Sequence, residues 1–224
     1  MQNDLKGLAI TLGGTNFGET DKILRVLFED GRQAGILAKG LRKSKSKLAG
    51  GTQVLAINHI EIHESKSKSM AILTGARMQK FFSNILTDFE RMQFAYACMK
   101  RVKKAEGLED PKLFYILEQT LESLNDKNMS VILIKIWFAV NFGVLVGEIN
   151  DLHYATDGEK LKIDERYAWD IDEKGFYPSK SGKITSQEIQ FLRFLTQKSI
   201  ASSEKVKDWQ KLSENIITCG IIKL

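Results

Sequence analysis

The chain has 224 residues, of which 43% are hydrophobic and 27% charged, values typical of a folded globular protein. Its two cysteines, Cys98 and Cys219, lie far apart, which argues for a reducing compartment and against a disulfide framework. No run of about 18 apolar residues predicts a membrane span. The first residues are polar and acidic, unlike a signal peptide, so we expect a cytoplasmic protein without a membrane partner.

The net charge of +5 is concentrated near the N-terminus. Residues 1–80 contain 13 Lys and Arg against 7 Asp and Glu, whereas the remainder has 20 against 21. A basic first third on a neutral remainder indicates a module that binds a polyanion, for which nucleic acid is the commonest candidate.

The first 80 residues predict five short strands. Apolar runs or alternating patterns occupy residues 5–12, 22–28, 32–38, 52–63 and 70–78, separated by turn residues. Asp30-Gly31 is a hairpin signal because glycine accepts the positive φ that such turns require. Short strands at this spacing favour a small antiparallel barrel or sandwich.

The pattern becomes helical from about residue 81. Thr87 or Asp88 is a candidate N-cap for a first helix, and Asp110-Pro111 predicts the start of a second. Residues 129–146 are nearly all apolar and predict a buried central helix. Residues 148–183 are polar and contain possible short strands at 161–164, 168–171 and 175–177. Two further helices are predicted at about 186–198 and 203–217.

A run of like charges marks residues 39–51, which we call the basic loop. Five cations fall within nine residues and no acid interrupts them: Lys39, Arg42, Lys43, Lys45 and Lys47. Arginine can grip phosphate with two parallel hydrogen bonds or stack on a base, whereas lysines act as point charges. Further candidate contacts are Arg25, Arg32, Lys66, Lys68 and Arg77, each of which could equally be an ordinary solvated side chain. Phe17 could stack on a base or lie under the barrel.

Other polar groups suggest chemistry less strongly. Glu19 and Asp21 could form a carboxylate pair, but holding a turn or pairing with a nearby arginine is the favoured interpretation. His59, Glu61 and His63 share one face of a strand, where a metal is conceivable and surface polarity is the simpler explanation. No phosphate-loop motif, dinucleotide fingerprint or Ser/His/Asp arrangement is present in the sequence.

The N-terminal motifs closely resemble those of the bacterial recombination-mediator family RecO. The resemblance rests on FGETDKIL at residues 17–24, Asp30-Gly31, AKGLRK at 38–43 and SKLAGG at 46–51. It implies an α+β chain: a five-stranded OB-fold barrel over residues 1–80, then a helical domain over 81–224 with a small irregular insertion at about 148–183. The family's barrel is expected to bind single- and double-stranded DNA.

The resemblance also implies partners. RecO-like proteins of the RecF pathway act with RecR and bind the acidic, Phe-ending tail of single-strand-binding protein (SSB). Such a tail needs an apolar hole with cations at its rim, and the candidates here are Lys100, Arg101, Lys103 and Lys104.

One departure from the family concerns zinc. Many members carry two cysteine pairs in the insertion, but residues 148–183 contain no cysteine and one histidine, His153. Asp151 and Asp157 are its neighbouring candidate ligands, yet structural zinc sites prefer Cys and His at paired spacing. We therefore expect no metal or other cofactor, and an aromatic core in its place, drawn from Tyr154, Tyr167, Trp169, Phe176 and Tyr177.

The sequence leads to one main hypothesis and two rivals. The main hypothesis is a non-enzymatic, nucleoid-associated mediator that binds and anneals DNA during repair of DNA damage and helps to load recombinase on SSB-coated strands. Neutralising the phosphates of two strands lowers their repulsion, so annealing needs no catalytic residue. The first rival is a protein-interaction adaptor whose basic loop binds an acidic partner. The second is a hydrolase using Glu19 and Asp21.

Overall fold

Seven strands and six α-helices follow one another in a computed structural model that describes residues 3–64 and 70–222. The strands are β1 (Asn3–Phe17), β2 (Asp21–Phe28), β3 (Gln33–Ala38), β4 (Ala56–Glu64), β5 (Ala71–Phe81), β6 (Tyr167–Asp170) and β7 (Gly175–Pro178). The helices are α1 (Phe89–Lys104), α2 (Pro111–Asn125), α3 (Val131–Leu145), α4 (Ser186–Gln197), α5 (Ile200–Ser203) and α6 (Trp209–Thr218).

The first five strands form a closed barrel in the order β1-β2-β3-β5-β4. β1 pairs with both of its neighbours, through residues 3–10 with β4 and residues 9–17 with β2. The register of β1 shifts between Thr11 and Gly13, a bulge that bends the strand. β3 and β5 close the barrel as a parallel pair. The five-stranded OB-type barrel is therefore confirmed, although β1 is longer than the predicted 5–12.

Alternating residues of the barrel strands point inward and form one apolar core. β2 contributes Leu24, Val26 and Phe28, and β4 contributes Ile60 and Ile62, all nearly inaccessible to solvent. The period of two that predicted these strands is thus the period of core burial. It also fixes which side chains are left facing outward.

Helices α1 and α2 follow the barrel and begin as predicted. The Asp88 carboxylate accepts a hydrogen bond from the Arg91 amide at 3.0 Å, and Asp110 Oδ1 accepts one from the Lys112 amide at 2.8 Å. The start of α2 lies against Gly31 in the β2–β3 turn, where an added Cβ would come within 2.4 Å of the Asp110 backbone. Gly31, with φ of +90°, is therefore required both by the turn and by this close approach.

The later helices pack around α3, which is buried along most of its length, as predicted for the central helix. Trp137 donates its indole N–H to the Lys198 carbonyl at 2.9 Å, and the Asn141 amide donates to the Leu195 carbonyl at 3.1 Å. A capping box between Thr185 and Glu188 starts α4. The predicted helix at 203–217 is wrong in its first part, because α5 ends at Ser203 and α6 begins at Trp209.

The insertion at residues 148–183 contains a hairpin with an aromatic core. β6 and β7 pair with Trp169 opposite Phe176, whose rings meet edge to face with centroids 5.2 Å apart. Tyr167 and Phe176 are fully buried, and the Tyr167 hydroxyl accepts a hydrogen bond from the Lys162 amide at 2.7 Å. The predicted strands at 168–171 and 175–177 are confirmed in type.

Three details predicted for the insertion are wrong, one about its strands and two about its aromatic core. Residues 161–164 form turns rather than a strand, and Ile163 is 72% exposed. Tyr154 and Tyr177 are exposed and do not belong to the core. A short apolar pair such as Leu161 and Ile163 predicts a strand only when another strand lies beside it to be paired.

The chain divides into two compact units, Met1–Asn125 and Asp126–Leu224. Helices α1 and α2 therefore group with the barrel, and the insertion groups with α3–α6. The functional division proposed from the sequence, at residue 80, stays a prediction. Within residues 3–64 and 70–222, no helix combines the length and the apolar character needed to cross a membrane.

Candidate nucleic-acid interface

The basic loop starts at a hydrogen-bonded latch formed by Asp21. Asp21 Oδ1 accepts hydrogen bonds from the Gly40 amide at 2.7 Å and from the Thr20 hydroxyl at 3.0 Å. These bonds lower the pKa of Asp21, the Gly40 amide having the largest effect, and the charges of Lys39 and Lys43 add to it. The carboxylate thus joins the start of β2 to the start of the loop.

Arg42 extends this latch to the β1–β2 turn. Its amide donates to the Thr20 carbonyl at 2.9 Å, and its guanidinium donates to the Glu19 carbonyl at 3.1 Å and the Gly18 carbonyl at 3.4 Å. The side chain is nevertheless exposed, and a guanidinium has five N–H donors, so it retains donors that face solvent. Arg42 therefore fixes the turn and still carries a charge at the surface.

The four lysines of the loop project into solvent. Lys39, Lys43, Lys45 and Lys47 are all exposed, and none forms a salt bridge with any residue in the described part of the chain. No salt bridge neutralises their charges, although the Asp21 carboxylate attracts Lys39 and Lys43. A set of unpaired cations at this density can contact several successive phosphates.

Apolar contacts anchor the loop backbone at both ends. Leu41 is 8% exposed and belongs to the barrel core, and Leu48 packs against the same core. A short 3-10 helix, Ala49–Gly51, then brings Gly51 so close to β5 that an added Cβ would lie 2.2 Å from the Ala76 carbonyl carbon. Arg77, which follows Ala76, is exposed on β5 beside this anchor. The loop is therefore a fixed surface and not a free tether.

Two other predicted cations are paired with acids instead. Arg25 on β2 forms an ion pair with Glu106, which lowers the pKa of that carboxyl group, chiefly through their hydrogen bond. Arg32 pairs with Asp30 at 2.8 Å and lies over the Phe28 ring. The structure does not bring either arginine into the loop cluster. Two further candidates, Lys66 and Lys68, lie outside the described residues.

Phe17 ends β1 beside the latch. It pairs in register with Asp21 across the β1–β2 ribbon, and its side chain is 52% exposed. The ring is thus not tucked under the barrel, which leaves the stacking interpretation of the sequence open for this residue.

Asp21 and His63 of the barrel have local partners. Asp21 holds the turn, as the favoured interpretation predicts, and Glu19 is exposed beside it. His63 Nδ1 lies 2.7 Å from Asp4 Oδ1, so this histidine faces a single carboxylate. Within the described ranges, 3–64 and 70–222, no group of three His, Cys, Asp or Glu has the geometry of a metal site.

The candidate ligands of the insertion are engaged in turns. Asp151 Oδ1 accepts the His153 amide at 2.6 Å and lies 3.0 Å from His153 Nδ1. Asp157 accepts the Glu159 amide at 2.9 Å. Each aspartate therefore satisfies a backbone donor two residues ahead, the usual role of Asp in such turns.

The cations predicted to bind a peptide tail lie on the last turns of α1. Lys100, Lys103 and Lys104 are exposed, and Arg101 is half-buried. They lie within the last five residues of the helix, and their role in binding a peptide tail stays a prediction.

A groove that sequence reasoning missed lies between α4 and α6. It has a volume of about 440 Å³, and Phe191, Phe194, Val206 and Leu212 form its apolar lining, with Lys207 among the polar residues. The sequence signal was present, because the apolar residues of α4 recur at helical spacing. What the spacing does not reveal is that some of them remain accessible between the helices.

Comparison with known proteins agrees with this architecture. Residues 1–82 match the family described as "Recombination protein O N terminal". The chain is 24% identical to the DNA repair protein RecO of Syntrophomonas wolfei over 95% of its own length and 86% of that protein.

Other relatives match a shorter segment. The chain is 30% identical to the DNA repair protein RecO of Dehalococcoides mccartyi over 62% of its own length, and this match spans 54% of that protein. For the RecO protein of Acetivibrio thermocellus the identity is 31%, over 54% of the chain and 47% of the relative. Residues 1–82 are thus similar to the N-terminal part of RecO proteins, and similarity to RecO proteins continues into the helical part.

Proposed function

We propose that this chain is a non-enzymatic DNA-binding protein that acts in DNA repair and homologous recombination. Its relatives are DNA repair proteins by name, which supports the process. The observation that carries the proposal is the basic loop, because it holds four exposed lysines that form no salt bridge with any described residue, on a backbone fixed to an OB-type barrel. Barrels of this kind bind single strands through a cationic surface and stacking side chains.

The proposed activity is strand annealing in addition to binding. Cations that neutralise phosphates on two strands lower the repulsion between the strands, and the step needs neither a cofactor nor a catalytic residue. Asp21 supports this reading, because its carboxylate is occupied by the Gly40 amide and the Thr20 hydroxyl. We therefore assign it a positioning role and place no hydrolytic chemistry at Glu19 and Asp21.

The wider role that we propose is that of a recombination mediator in the cytoplasm, at the nucleoid. In this role the protein would act with RecR and help to load recombinase on SSB-coated single strands. An SSB tail ending in Asp-Phe requires an apolar hole with a nearby cation. The groove between α4 and α6, with Phe191 and Lys207 in its lining, meets that requirement.

A salt titration tests the proposed binding. The affinity of the chain for fluorescent single-stranded and double-stranded DNA would be measured at several salt concentrations. We expect log Kd to rise steeply with log salt, by about 0.7 per phosphate contact for single strands and about 0.9 for duplex. An affinity that does not change with salt, or tighter binding of an acidic protein than of DNA, would favour the adaptor hypothesis. A separate test mixes complementary strands and measures the rate of duplex formation, which should rise with added protein.

A further inference from the structure

Helix α1 exposes aromatic rings and cations along one face. Phe89 is 74% exposed and Tyr96 45% exposed, and Lys100, Lys103 and Lys104 are exposed after them. What sets this helix apart is that two exposed aromatic rings share one face with exposed cations.

Helical geometry places these side chains in a row. Each residue turns the helix by about 100°, so positions 89, 96, 100 and 103 lie within a narrow sector. At about 1.5 Å per residue, Tyr96 lies about 10 Å along the axis from Phe89, and Lys100 about 6 Å beyond Tyr96. The opposite side of the helix is buried, through Ala95, Cys98 and Val102. We call the row Phe89, Tyr96, Lys100, Lys103 and Lys104 the α1 stripe.

The charge of the α1 stripe is one-sided. The helix contains a single acid, Glu90 in its first turn, and its cations cluster in the last turn. None of the three lysines forms a salt bridge with another residue of the described chain. A ligand that fits must therefore present anionic groups beside flat apolar ones.

The exposure of both rings favours nucleic acid over a peptide. A peptide anchor needs a concave pocket to desolvate it, whereas a base carries its own flat face and can stack on an exposed ring. Alternating bases and phosphates along a single strand match aromatic rings followed by cations along a helix.

The end of α1 is attached to the barrel through β3. The Gln33 side chain at the start of β3 donates to the Val102 carbonyl at 2.8 Å, and Arg25 on β2 pairs with Glu106 just beyond α1. At its other end β3 leads directly into the basic loop. The six residues of β3 span about 20 Å, so the two cationic regions lie at opposite ends of one strand.

We propose that the α1 stripe is a second contact surface for single-stranded DNA, where bases stack on Phe89 and Tyr96 and phosphates contact Lys100, Lys103 and Lys104. The inference rests on the proposed function, because it extends the path of a strand that is bound at the basic loop.

The test compares two oligonucleotides of about 30 thymidines, one with bases and one abasic. The stacking variant carries Phe89→Ala and Tyr96→Ala, and the control carries Tyr154→Ala and Tyr177→Ala, which remove two exposed rings of the insertion. We expect the stacking variant to bind the base-bearing strand at least about fivefold more weakly than the control does. Its affinity for the abasic strand should be unchanged, since there is no base to stack.

A second pair of variants tests the lysines. The first variant replaces three lysines of the stripe by alanine: Lys100, Lys103 and Lys104. It should reduce the slope of log Kd against log salt by about 2 for both oligonucleotides. The control replaces Lys198, Lys205 and Lys211, which are all exposed, and should leave the slope unchanged. Melting curves establish that each variant is folded.

Three outcomes would overturn the inference. The first is wild-type affinity of the stacking variant for the base-bearing strand. The second is an equal loss on both strands, which would indicate a change of fold. The third is that a variant of the α1 stripe no longer binds a peptide ending in Asp-Phe but keeps its affinity for DNA. That result would make the stripe a protein-binding surface. If the wild-type chain binds neither strand, the proposed function fails as well, and the two failures are thereby distinguished.

Discussion

Two sets of cations in the barrel look alike in the sequence and differ in the structure. Arg25 and Arg32 lie on or beside the β2–β3 ribbon, and each faces a carboxylate, Glu106 or Asp30. The lysines of the basic loop face solvent and form no salt bridge with any of the described residues. On the ribbon, the cations counted in the sequence are therefore not free to bind a polyanion. On the loop, the counted lysines are available for binding.

The basic loop also shows how a segment with the composition of a flexible linker is held in a fixed position. The loop has the Lys/Ser/Gly composition of a flexible linker, yet Leu41 belongs to the barrel core and Gly40 is held by Asp21. Anchors at both ends hold the cations in place before any ligand arrives. Less ordering is then required on binding, which favours affinity.

Reversing charge in the basic loop should have the largest effect on DNA binding. Lys43→Glu with Lys45→Glu replaces two attractions by two repulsions, and we expect a loss of affinity of about 100-fold or more at low salt. Fluorescence anisotropy with single-stranded DNA measures it. Lys205→Glu with Lys211→Glu is the matched control, since it makes the same change of net charge on exposed residues of the helical unit. Equal losses in both variants would mean that only net charge matters.

Breaking the latch should have an intermediate effect. Asp21→Asn keeps the shape of the side chain but weakens its bond with the Gly40 amide, because a neutral oxygen accepts less strongly than a carboxylate. We expect DNA affinity to fall about tenfold, with all loop lysines still present. Wild-type affinity in this variant would show that the latch does not position the cations.

The latch also predicts a pH dependence of stability. The folded-state pKa of Asp21 is lowered, so its stabilising effect is complete above its unfolded pKa of about 4 and is lost as pH falls through the folded value. The difference in melting temperature between wild type and Asp21→Asn should therefore shrink as the pH is lowered below about 4. A difference that stays constant down to low pH would contradict this.

Removing the paired arginines should have the smallest effect on binding. We expect Arg25→Ala and Arg32→Ala each to leave DNA affinity within about twofold of wild type, because these charges are already balanced by Glu106 and Asp30. Arg25→Ala should instead lower the melting temperature, since the side chain is mostly buried between the barrel and the end of α1. If Arg25→Ala binds DNA much more weakly while its melting temperature is unchanged, the distinction between the acid-paired arginines and the loop lysines is wrong.

Much of the barrel could be predicted because strand periodicity and burial coincide. Leu24, Val26 and Phe28 alternate in the sequence and alternate into the core. Helix starts at Asp88 and Asp110 were predictable for a similar reason, because the capping chemistry is local. The core of the insertion was harder to predict. Tyr154 and Tyr167 are the same residue type, and only their tertiary contacts leave the first exposed and the second buried.

The anchoring of the loop could not be predicted from the sequence alone. Asp21 and Gly40 are 19 residues apart. Nothing in this spacing shows that the carboxylate at the start of β2 accepts a hydrogen bond from an amide in the loop after β3. The same holds for Arg42, because nothing in the sequence shows that this cation, unlike the four lysines, also holds a turn. It differs from them in that its guanidinium holds the Glu19 and Gly18 carbonyls.

The central claim is that the basic loop supplies the phosphate contacts of this protein. The most direct measurement is the salt dependence of single-stranded DNA binding by a variant in which Arg42, Lys43, Lys45 and Lys47 are all replaced by alanine. If the loop makes these contacts, the slope of log Kd against log salt falls by about 3 relative to wild type while the melting transition remains cooperative. A folded variant with the wild-type slope would contradict the claim.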